Sequence, residues 1–293
     1  MPETFHDFGG DWTTEKLERV AKYLKAYATI MKKKGFPFAY IDAFAGTGYR
    51  TLKRSDEPEQ PMFPELSGAE SQQFLDGSAR KALQVQPRFH KYIFIEKDEE
   101  RFRALQRLRA EFPEVAGDVI VVNAEANSYL QDMCDNRNWK KHRAVLFLDP
   151  YGMEVEWQTM EAIARTQAID LWLLFPLGIA VNRLLKQDGN IDPVIRDALN
   201  RLFGAEDWYE TFYQSTAQIG LFGSETRLHK VGDFDKIAGY MIARLQTVFP
   251  GVAQNPLSLF NSRNNPLYLL CFAAGNPKGA ATAVKIAQDI LRR

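Results

Sequence analysis

The sequence predicts an α/β fold with a doubly wound, mostly parallel sheet, because short apolar runs alternate with amphipathic helical segments. Between the runs, apolar residues recur at three- and four-residue spacing, as Phe102, Leu105 and Leu108 do. Strands that are apolar along their whole length are typical of a parallel sheet covered by helices on both faces. The five predicted strands span 38–44, 91–96, 119–123, 144–149 and 169–175.

Further elements are predicted at both ends of the chain. An amphipathic helix is predicted over 14–34, and Gly35 and Pro37 end it. Near the other end, two apolar runs flank the asparagine-rich turn 261–265, which predicts an antiparallel hairpin. A closing helix is predicted over 277–293.

The intervening segment 182–249 shows no strand pattern, and we expect it to be a helical insertion or cap on the sheet. The prediction therefore divides the chain into three parts. The first, 1–181, holds the N-terminal helix and the core, with an inserted loop at 49–76. The second is the helical insertion at 182–249, and the third, 250–293, is a hairpin and helix that complete the core.

Composition excludes several classes of protein. The 293 residues are 45% hydrophobic and 25% charged, which is typical of a globular chain and excludes wholesale disorder. Lysine plus arginine equals aspartate plus glutamate, 37 each, so any contact with nucleic acid must come from local patches. Cys134 and Cys271 are far apart, which excludes a zinc ribbon, an iron–sulfur cluster and a disulfide framework; we expect no metal.

The sequence also predicts a cytoplasmic protein without a membrane partner. The first residues lack a basic segment followed by an apolar one, so no signal peptide is expected. The most apolar run, 169–181, contains Asp170 and Pro176 and is too short to span a bilayer.

A glycine-containing turn follows the first predicted strand. The segment 42–48 reads Asp-Ala-Phe-Ala-Gly-Thr-Gly, with glycines at Gly46 and Gly48. In a doubly wound sheet, ligands bind beyond the carboxyl ends of the strands, where glycine lets a ligand approach the backbone. A tight strand-to-helix turn without a ligand is the alternative explanation.

An acid at the end of the second strand strengthens the prediction of a ligand site. Glu96 is placed to accept hydrogen bonds from a ribose diol, but it lies 48 positions after Gly48. Without the 28-residue stretch 49–76, Glu96 would follow Gly48 by 20 positions, which is the separation expected of a dinucleotide-binding unit. Ser78 then lies at the start of the helix, where it would contact the ligand or only cap the helix.

A third motif, Asp149-Pro150-Tyr151-Gly152, ends the fourth strand. An acid followed by proline fixes the backbone just past the sheet, and its carboxylate can accept hydrogen bonds from an amino group. The aromatic ring that follows can stack on a planar substrate. The alternative is that Asp149 caps the next helix and Tyr151 packs in the core.

Together these motifs resemble class I S-adenosylmethionine-dependent methyltransferases, a resemblance that implies a Rossmann-like cofactor-binding core. Asp149-Pro150-Tyr151 is similar to the D-P-P-Y motif of the enzymes that methylate amino groups of nucleic acids, but the second proline is missing. The resemblance implies that Asp149, Pro150 and Tyr151 are catalytic. It implies S-adenosylmethionine contacts for Asp42, Phe44, Ala45, Gly46, Gly48, Ser78, Glu96, Lys97, Asn123, Ala124 and Glu125.

Nearly the whole chain resembles the bacterial three-Cys-motif partner (TcmP) proteins. The likeness includes 40–48, Gly77-Ser78, 148–152 and 265–269. This resemblance implies a partner, a radical-S-adenosylmethionine-like protein with three cysteines. Two functions remain open: methyl transfer to an amino nitrogen of nucleic acid, or a catalytically weak or inactive subunit that binds the cofactor and acts through its partner.

Other catalytic motifs are missing from the sequence. It contains no P-loop, no H-E-x-x-H zinc motif and no G-x-S-x-G nucleophile elbow. A nicotinamide dehydrogenase stays an alternative, although the third glycine of its fingerprint is absent.

Basic residues form several clusters along the chain. Lysines at the end of the first helix are explained by the helix dipole. The arginines at 101, 103, 107 and 109 share their helix with Glu99, Glu100 and Glu111, as on a solvated face. The cluster at 137–143 precedes the fourth strand, on the edge of the sheet away from the cofactor. The loop residues Arg50, Lys53 and Arg54 are therefore better candidates for guiding a substrate.

Overall fold

The computed structural model of this chain describes residues 11–43, 77–150, 152–220 and 223–292. The strands are β1 Phe38–Ala43, β2 Lys91–Glu96, β3 Val119–Asn123, β4 Arg143–Leu148, β5 Ile169–Phe175, β6 Tyr213–Gly220, β7 Gly223–Lys230, β8 Gly251–Val252, β9 Leu257–Phe260 and β10 Pro266–Ala274. The helices are α1 Asp11–Lys34, α2 at 77–84, α3 Glu99–Glu111, α4 Ala126–Asn136, α5 Trp157–Arg165, α6 Pro193–Phe203, α7 Trp208–Phe212, α8 Phe234–Gln246 and α9 Ala280–Leu291.

The main sheet has the strand order β3-β2-β1-β4-β5-β10-β8, with β9 also paired to β10. The strands β1 to β5 are parallel to one another, and β10 runs antiparallel to β5. The predicted fold class, with its mostly parallel sheet and C-terminal antiparallel hairpin, is confirmed. Because the chain adds β2 and β3 on one side of β1 and β4 and β5 on the other, the order of strands reverses between β1 and β4. Ligands of doubly wound sheets bind at that point.

Helices cover both faces of the sheet because successive strand residues point to opposite faces. Ile41 packs in a core with α4, α5 and α8, whereas its neighbour Tyr40 packs in a second core with α1, α2, α3 and α9. The strand β5 is buried along its whole length, with Trp172 in the second core and Leu173 in the first. Each such large apolar side chain contributes about 1.5–3 kcal/mol when it is buried.

The insertion is not wholly helical, which corrects the expectation from the sequence. The strands β6 and β7 pair antiparallel into a separate two-stranded sheet between α7 and α8. One face of this hairpin carries exposed polar side chains, including Gln214, Thr216, Arg227 and His229. The other face carries Ser215 and Lys230 as well as Tyr213 and Leu228, so the alternation of apolar and polar residues by which a strand is recognised in a sequence is incomplete.

No helix within the described ranges combines the length and the apolar character needed to cross a bilayer.

Candidate functional site

A buried carboxylate, Asp42, lies near the carboxyl end of β1, where the order of strands reverses. Only 1% of Asp42 is exposed, and its Oδ2 accepts a hydrogen bond of 2.9 Å from the hydroxyl of Tyr40. Its Oδ1 has no hydrogen-bond partner among the described residues. Burial and the nearby Asp149 raise the pKa of Asp42 to about 7, although Ser78, Tyr40 and Lys16 oppose this rise. Asp42 therefore has a buried oxygen atom that can bind a ligand.

Ser78 lies inside α2, after Gly77, which is also helical. It is therefore not the residue that caps this helix, which corrects the alternative role given to it above. Its buried side chain lies beside the carboxylate of Asp42 and lowers the pKa of that group. The contact joins α2 to the end of β1.

An ion pair joins α1 to the end of β4. The ammonium group of Lys16 lies 2.5 Å from Oδ2 of Asp149. The Lys16 side chain is 2% exposed and the Asp149 side chain 20%. The cation also lies over the aromatic rings of Trp12, at 5.5 Å from the ring centre, and Phe147, at 5.7 Å. The arrangement holds one oxygen of Asp149 toward the protein and leaves part of the side chain accessible.

Lys16 was missed by the reasoning from sequence. Its partner is 133 positions away, so no local motif joins the two residues. A signal was nevertheless present, because Lys16 precedes Val20 by four residues and Tyr23 by seven, and so occupies the apolar face of α1. A lysine on the apolar face of a helix needs a buried partner.

The end of β4 lies directly beside the end of β1. Ala43 pairs with Leu148, and the backbone N–H of Asp149 donates to the carbonyl of Ala43 at 3.4 Å. Asp149 does not cap α5, whose N-cap is Glu156, so that alternative is wrong. Pro150, the next residue, is buried.

Glu96 ends β2, and it is only 3% exposed. Its Oε1 accepts a hydrogen bond of 2.6 Å from the backbone N–H of Asp98, whereas Oε2 has no hydrogen-bond partner within the described chain. Burial raises the pKa of Glu96 above its ordinary value, and the hydrogen bond from Asp98 and the charge of Arg101 oppose this rise. Glu96 is thus a second buried carboxylate with an oxygen atom available to a ligand.

Asn123 joins the loops after β2 and β3. Its side-chain amide donates to the carbonyl oxygens of Glu96 at 3.2 Å and Lys97 at 3.1 Å. The backbone N–H of Ala124 also donates to the carbonyl of Glu96. The side chain of Asn123 therefore fixes the backbone around Glu96, while the side chain of Lys97 is exposed.

Glu125 caps α4 with both carboxylate oxygens. Oε2 accepts from the backbone N–H of Ser128 at 2.8 Å, and Oε1 accepts from the backbone N–H and side-chain amide of Asn127, both at 3.0 Å. Burial raises the pKa of Glu125, but these hydrogen bonds outweigh burial, so the pKa lies below its ordinary value. Asn127 extends the network to the loop before α5, where it binds the carbonyl of Glu154 and the N–H of Glu156.

Five of the proposed site residues lie outside the described residues: Phe44, Ala45, Gly46, Gly48 and Tyr151. The structure brings the others to the carboxyl edge of β1, β2, β3 and β4, as the predicted topology requires. Within the described part of the chain, no three histidine, cysteine, aspartate or glutamate side chains are grouped so that they could hold a metal ion.

Comparison with known proteins gives distant likenesses. No family model matches the chain, and no curated protein sequence matches it. A Legionella pneumophila protein, LPL1258, described by the family model DUF519, has a TM-score of 0.47 and 13% identity, covering 97% of this chain and 92% of its own. A putative Escherichia coli methyltransferase, yhhF, has a TM-score of 0.28 and 11% identity, covering 71% of this chain and 85% of its own. A conserved hypothetical protein of Streptococcus pyogenes has a TM-score of 0.31 and 13% identity, covering 69% of this chain and 93% of its own.

Proposed function

We propose that this chain binds S-adenosylmethionine at the carboxyl ends of β1 and β2 and transfers its methyl group to an amino nitrogen of nucleic acid. The observation that supports this most is the pair of buried carboxylates, Asp42 and Glu96, at the ends of neighbouring strands. Each has one oxygen atom without a hydrogen-bond partner among the described residues. Buried polar atoms are nearly always hydrogen-bonded, so two such atoms at one edge of the sheet favour a polar ligand.

The two carboxylates fit different parts of the cofactor. Oε2 of Glu96 would accept hydrogen bonds from the ribose hydroxyls, as acids at the end of a second strand do in nucleotide-binding sheets. Oδ1 of Asp42 would accept from the amino group of the methionine moiety. Since burial holds the pKa of Asp42 at about 7, a cationic amino group would favour its deprotonated form.

Asp149 is the residue we assign to the acceptor. When bound, S-adenosylmethionine supplies a methyl group that its sulfonium has already activated, so the protein has to provide alignment above all. The carboxylate of Asp149 would accept a hydrogen bond from the acceptor amine and so orient the nitrogen lone pair. Lys16 would hold that carboxylate in place through the ion pair at 2.5 Å.

The Lys16–Asp149 ion pair also favours a second candidate function. The charge of Asp149 is already balanced by a buried cation, and the sequence lacks the second proline of the D-P-P-Y motif. Both features fit a subunit that binds the cofactor but acts through its partner, the radical-S-adenosylmethionine-like protein with three cysteines. In this case the ion pair would serve only to attach α1 to β4.

Titration calorimetry with S-adenosylhomocysteine tests the cofactor site. Glu96→Ala should weaken binding by about 1.5–3 kcal/mol, the range for a hydrogen bond to a charged group. This corresponds to a loss of affinity of about tenfold or more. Glu100→Ala is a matched control, because Glu100 is exposed on α3. Equal affinity in wild type and Glu96→Ala would remove Glu96 from the site.

Methyl transfer is tested with methyl-labelled cofactor and nucleic acid, with and without the radical-S-adenosylmethionine-like partner that has three cysteines. Asp149→Asn should abolish transfer and leave cofactor affinity within about threefold, a change of less than 1 kcal/mol. Asp197→Asn is the control, because Asp197 is exposed on α6. Full activity in Asp149→Asn would refute its role, and cofactor binding without transfer in the wild type would favour the second candidate.

A further inference from the structure

Two positively charged segments meet at the amino-terminal edge of the sheet, opposite the cofactor edge. The first is the last turn of α1, with Lys32, Lys33 and Lys34, and the second is the loop between α4 and β4. We name the following set of residues the basic edge: Lys32, Lys33, Lys34, Arg137, Lys140, Lys141 and Arg143.

Arg143 and Phe36 bring the two segments together. The Arg143 guanidinium lies over the Phe36 ring, 4.5 Å from its centre, and the Arg143 backbone N–H donates to the carbonyl of Pro37 at 3.0 Å. The same guanidinium donates to the carbonyls of Trp139 and His142, at 3.3 and 2.7 Å, which folds the second segment against the first. The cations therefore form one surface although they are about a hundred positions apart in sequence.

The charge of this surface is largely uncompensated. The six cations other than Arg143 are exposed, and none of them takes part in a salt bridge between described residues. Arg143 is half-buried, and its charge acts on the buried Asp170. At the adjacent start of β2, by contrast, Lys91 pairs with Asp118 and Arg88 with Glu114. The chain has no net charge, so these uncompensated cations mark a local concentration of positive charge.

We infer that the basic edge binds the phosphate backbone of a nucleic acid. Lysine is a compact point charge that binds phosphate without a fixed geometry, and lysines and arginines clustered on one face are the electrostatic footprint of a nucleic-acid surface. The core of a protein–protein interface is, by contrast, depleted of charged residues, lysine among them, and enriched in aromatic ones. The exposed large apolar residues among those described are Ile120 and Val194, and neither belongs to the basic edge.

This inference does not depend on methyl transfer. The basic edge lies at the opposite ends of β1 and β4 from Asp42 and Asp149, so it would hold the backbone of a long nucleic acid at a distance from the reaction. The cluster at 137–143 lies too far from the catalytic loop to guide a substrate into it, and this distance is compatible with a role in holding the backbone.

The test is a binding measurement by fluorescence anisotropy, with labelled single-stranded RNA and DNA of mixed sequence at several salt concentrations. The quadruple variant Lys32→Gln, Lys33→Gln, Lys140→Gln and Lys141→Gln should lose at least about tenfold in affinity at low salt. The slope of log affinity against log salt should fall by about 3 if each lysine contacts one phosphate of a single strand.

A matched control removes four exposed cations elsewhere: Arg103→Gln, Arg107→Gln, Lys278→Gln and Lys285→Gln. The control should retain wild-type affinity and slope, and both variants should bind S-adenosylhomocysteine as the wild type does.

Equal losses in the two variants, or no binding of either nucleic acid by the wild type at low salt, would overturn the inference. Tighter binding of polyglutamate or of anionic phospholipid vesicles than of RNA and DNA would overturn it too, in favour of an acidic protein or a membrane surface. Unchanged cofactor affinity in Glu96→Ala, with nucleic-acid binding by the basic edge intact, would count against the proposed function and leave this inference standing.

Discussion

Lys16 provides the sharpest test of the site, because its charge is buried and its ion-pair partner is known. Lys16→Met keeps the length of the side chain and removes the ammonium group. The carboxylate of Asp149 then loses a cation 2.5 Å away, next to the buried Asp42. The charge of Lys16 lowers the pKa of Asp42, so the substitution should also raise that pKa above about 7.

The expected cost follows from the burial of the pair. Removing one partner of a buried ion pair costs about 3–5 kcal/mol, because the other charge is left uncompensated. The side chain of Asp149 is 20% exposed and can take up water, so we expect the lower end, about 3 kcal/mol. At about 2.1 cal/mol/K per residue, the unfolding entropy of 293 residues is about 0.6 kcal/mol/K, so this cost corresponds to a fall in Tm of about 5 °C.

Thermal and denaturant unfolding of Lys16→Met measure this cost, with Lys22→Met as the control on the exposed side of α1. The double variant Lys16→Met with Asp149→Asn should recover most of the loss, because no unpaired charge remains. An unchanged Tm in Lys16→Met, or a double variant whose loss equals the sum of the two single losses, would refute the reasoning.

Two further predictions concern pH and packing. The pKa of Asp42 is about 7 in the folded protein against 3.8 ordinarily, so the folded state keeps its proton longer than the unfolded chain. The free energy of unfolding should therefore fall as the pH rises from about 4 to about 7, and urea titrations across this range should show a smaller fall for Asp42→Asn. A Cβ at Gly178 would lie 1.8 Å from the carbonyl oxygen of Pro266, whereas one at Gly239, within α8, would meet nothing within 4 Å. Gly178→Ala should thus cost about 3 kcal/mol or more and Gly239→Ala should stabilise by about 0.5–1 kcal/mol, both measured by denaturant unfolding; equal effects would contradict the packing described.

The sequence by itself determined the order and type of most elements in the sheet. The strands β1, β2, β4 and β5 are buried along most of their length on both faces, so each reads as a largely apolar run. The edge strand β3 is apolar in sequence but only partly buried. The hairpin of β9 and β10 was also predictable, from the asparagine-rich turn between two apolar runs. The parallel order then required Asp42, Glu96 and Asp149 to follow neighbouring strands at one edge.

The hairpin of β6 and β7 depended on tertiary structure instead. One of its faces packs on the rest of the insertion, where the hydroxyl of Tyr213 donates to the carbonyl of Lys186. The opposite face is exposed and polar, and the face of Tyr213 also carries Ser215 and Lys230, so the apolar half of the alternation that predicts a strand is incomplete. Contacts with residues distant in sequence stabilise this element, and a local pattern does not record such contacts.

The same distinction holds for the candidate site. The sequence identified the acids Asp42, Glu96 and Asp149 from their positions after strands, but only the tertiary structure paired Asp149 with Lys16 and joined Asp42 to Ser78. Likewise, only the tertiary structure left one oxygen atom of Asp42 and one of Glu96 without a partner among the described residues. The physical reason is that periodicity depends on neighbours along the chain. Ion pairing and pKa depend on burial and on charges nearby in space, which packing alone brings together.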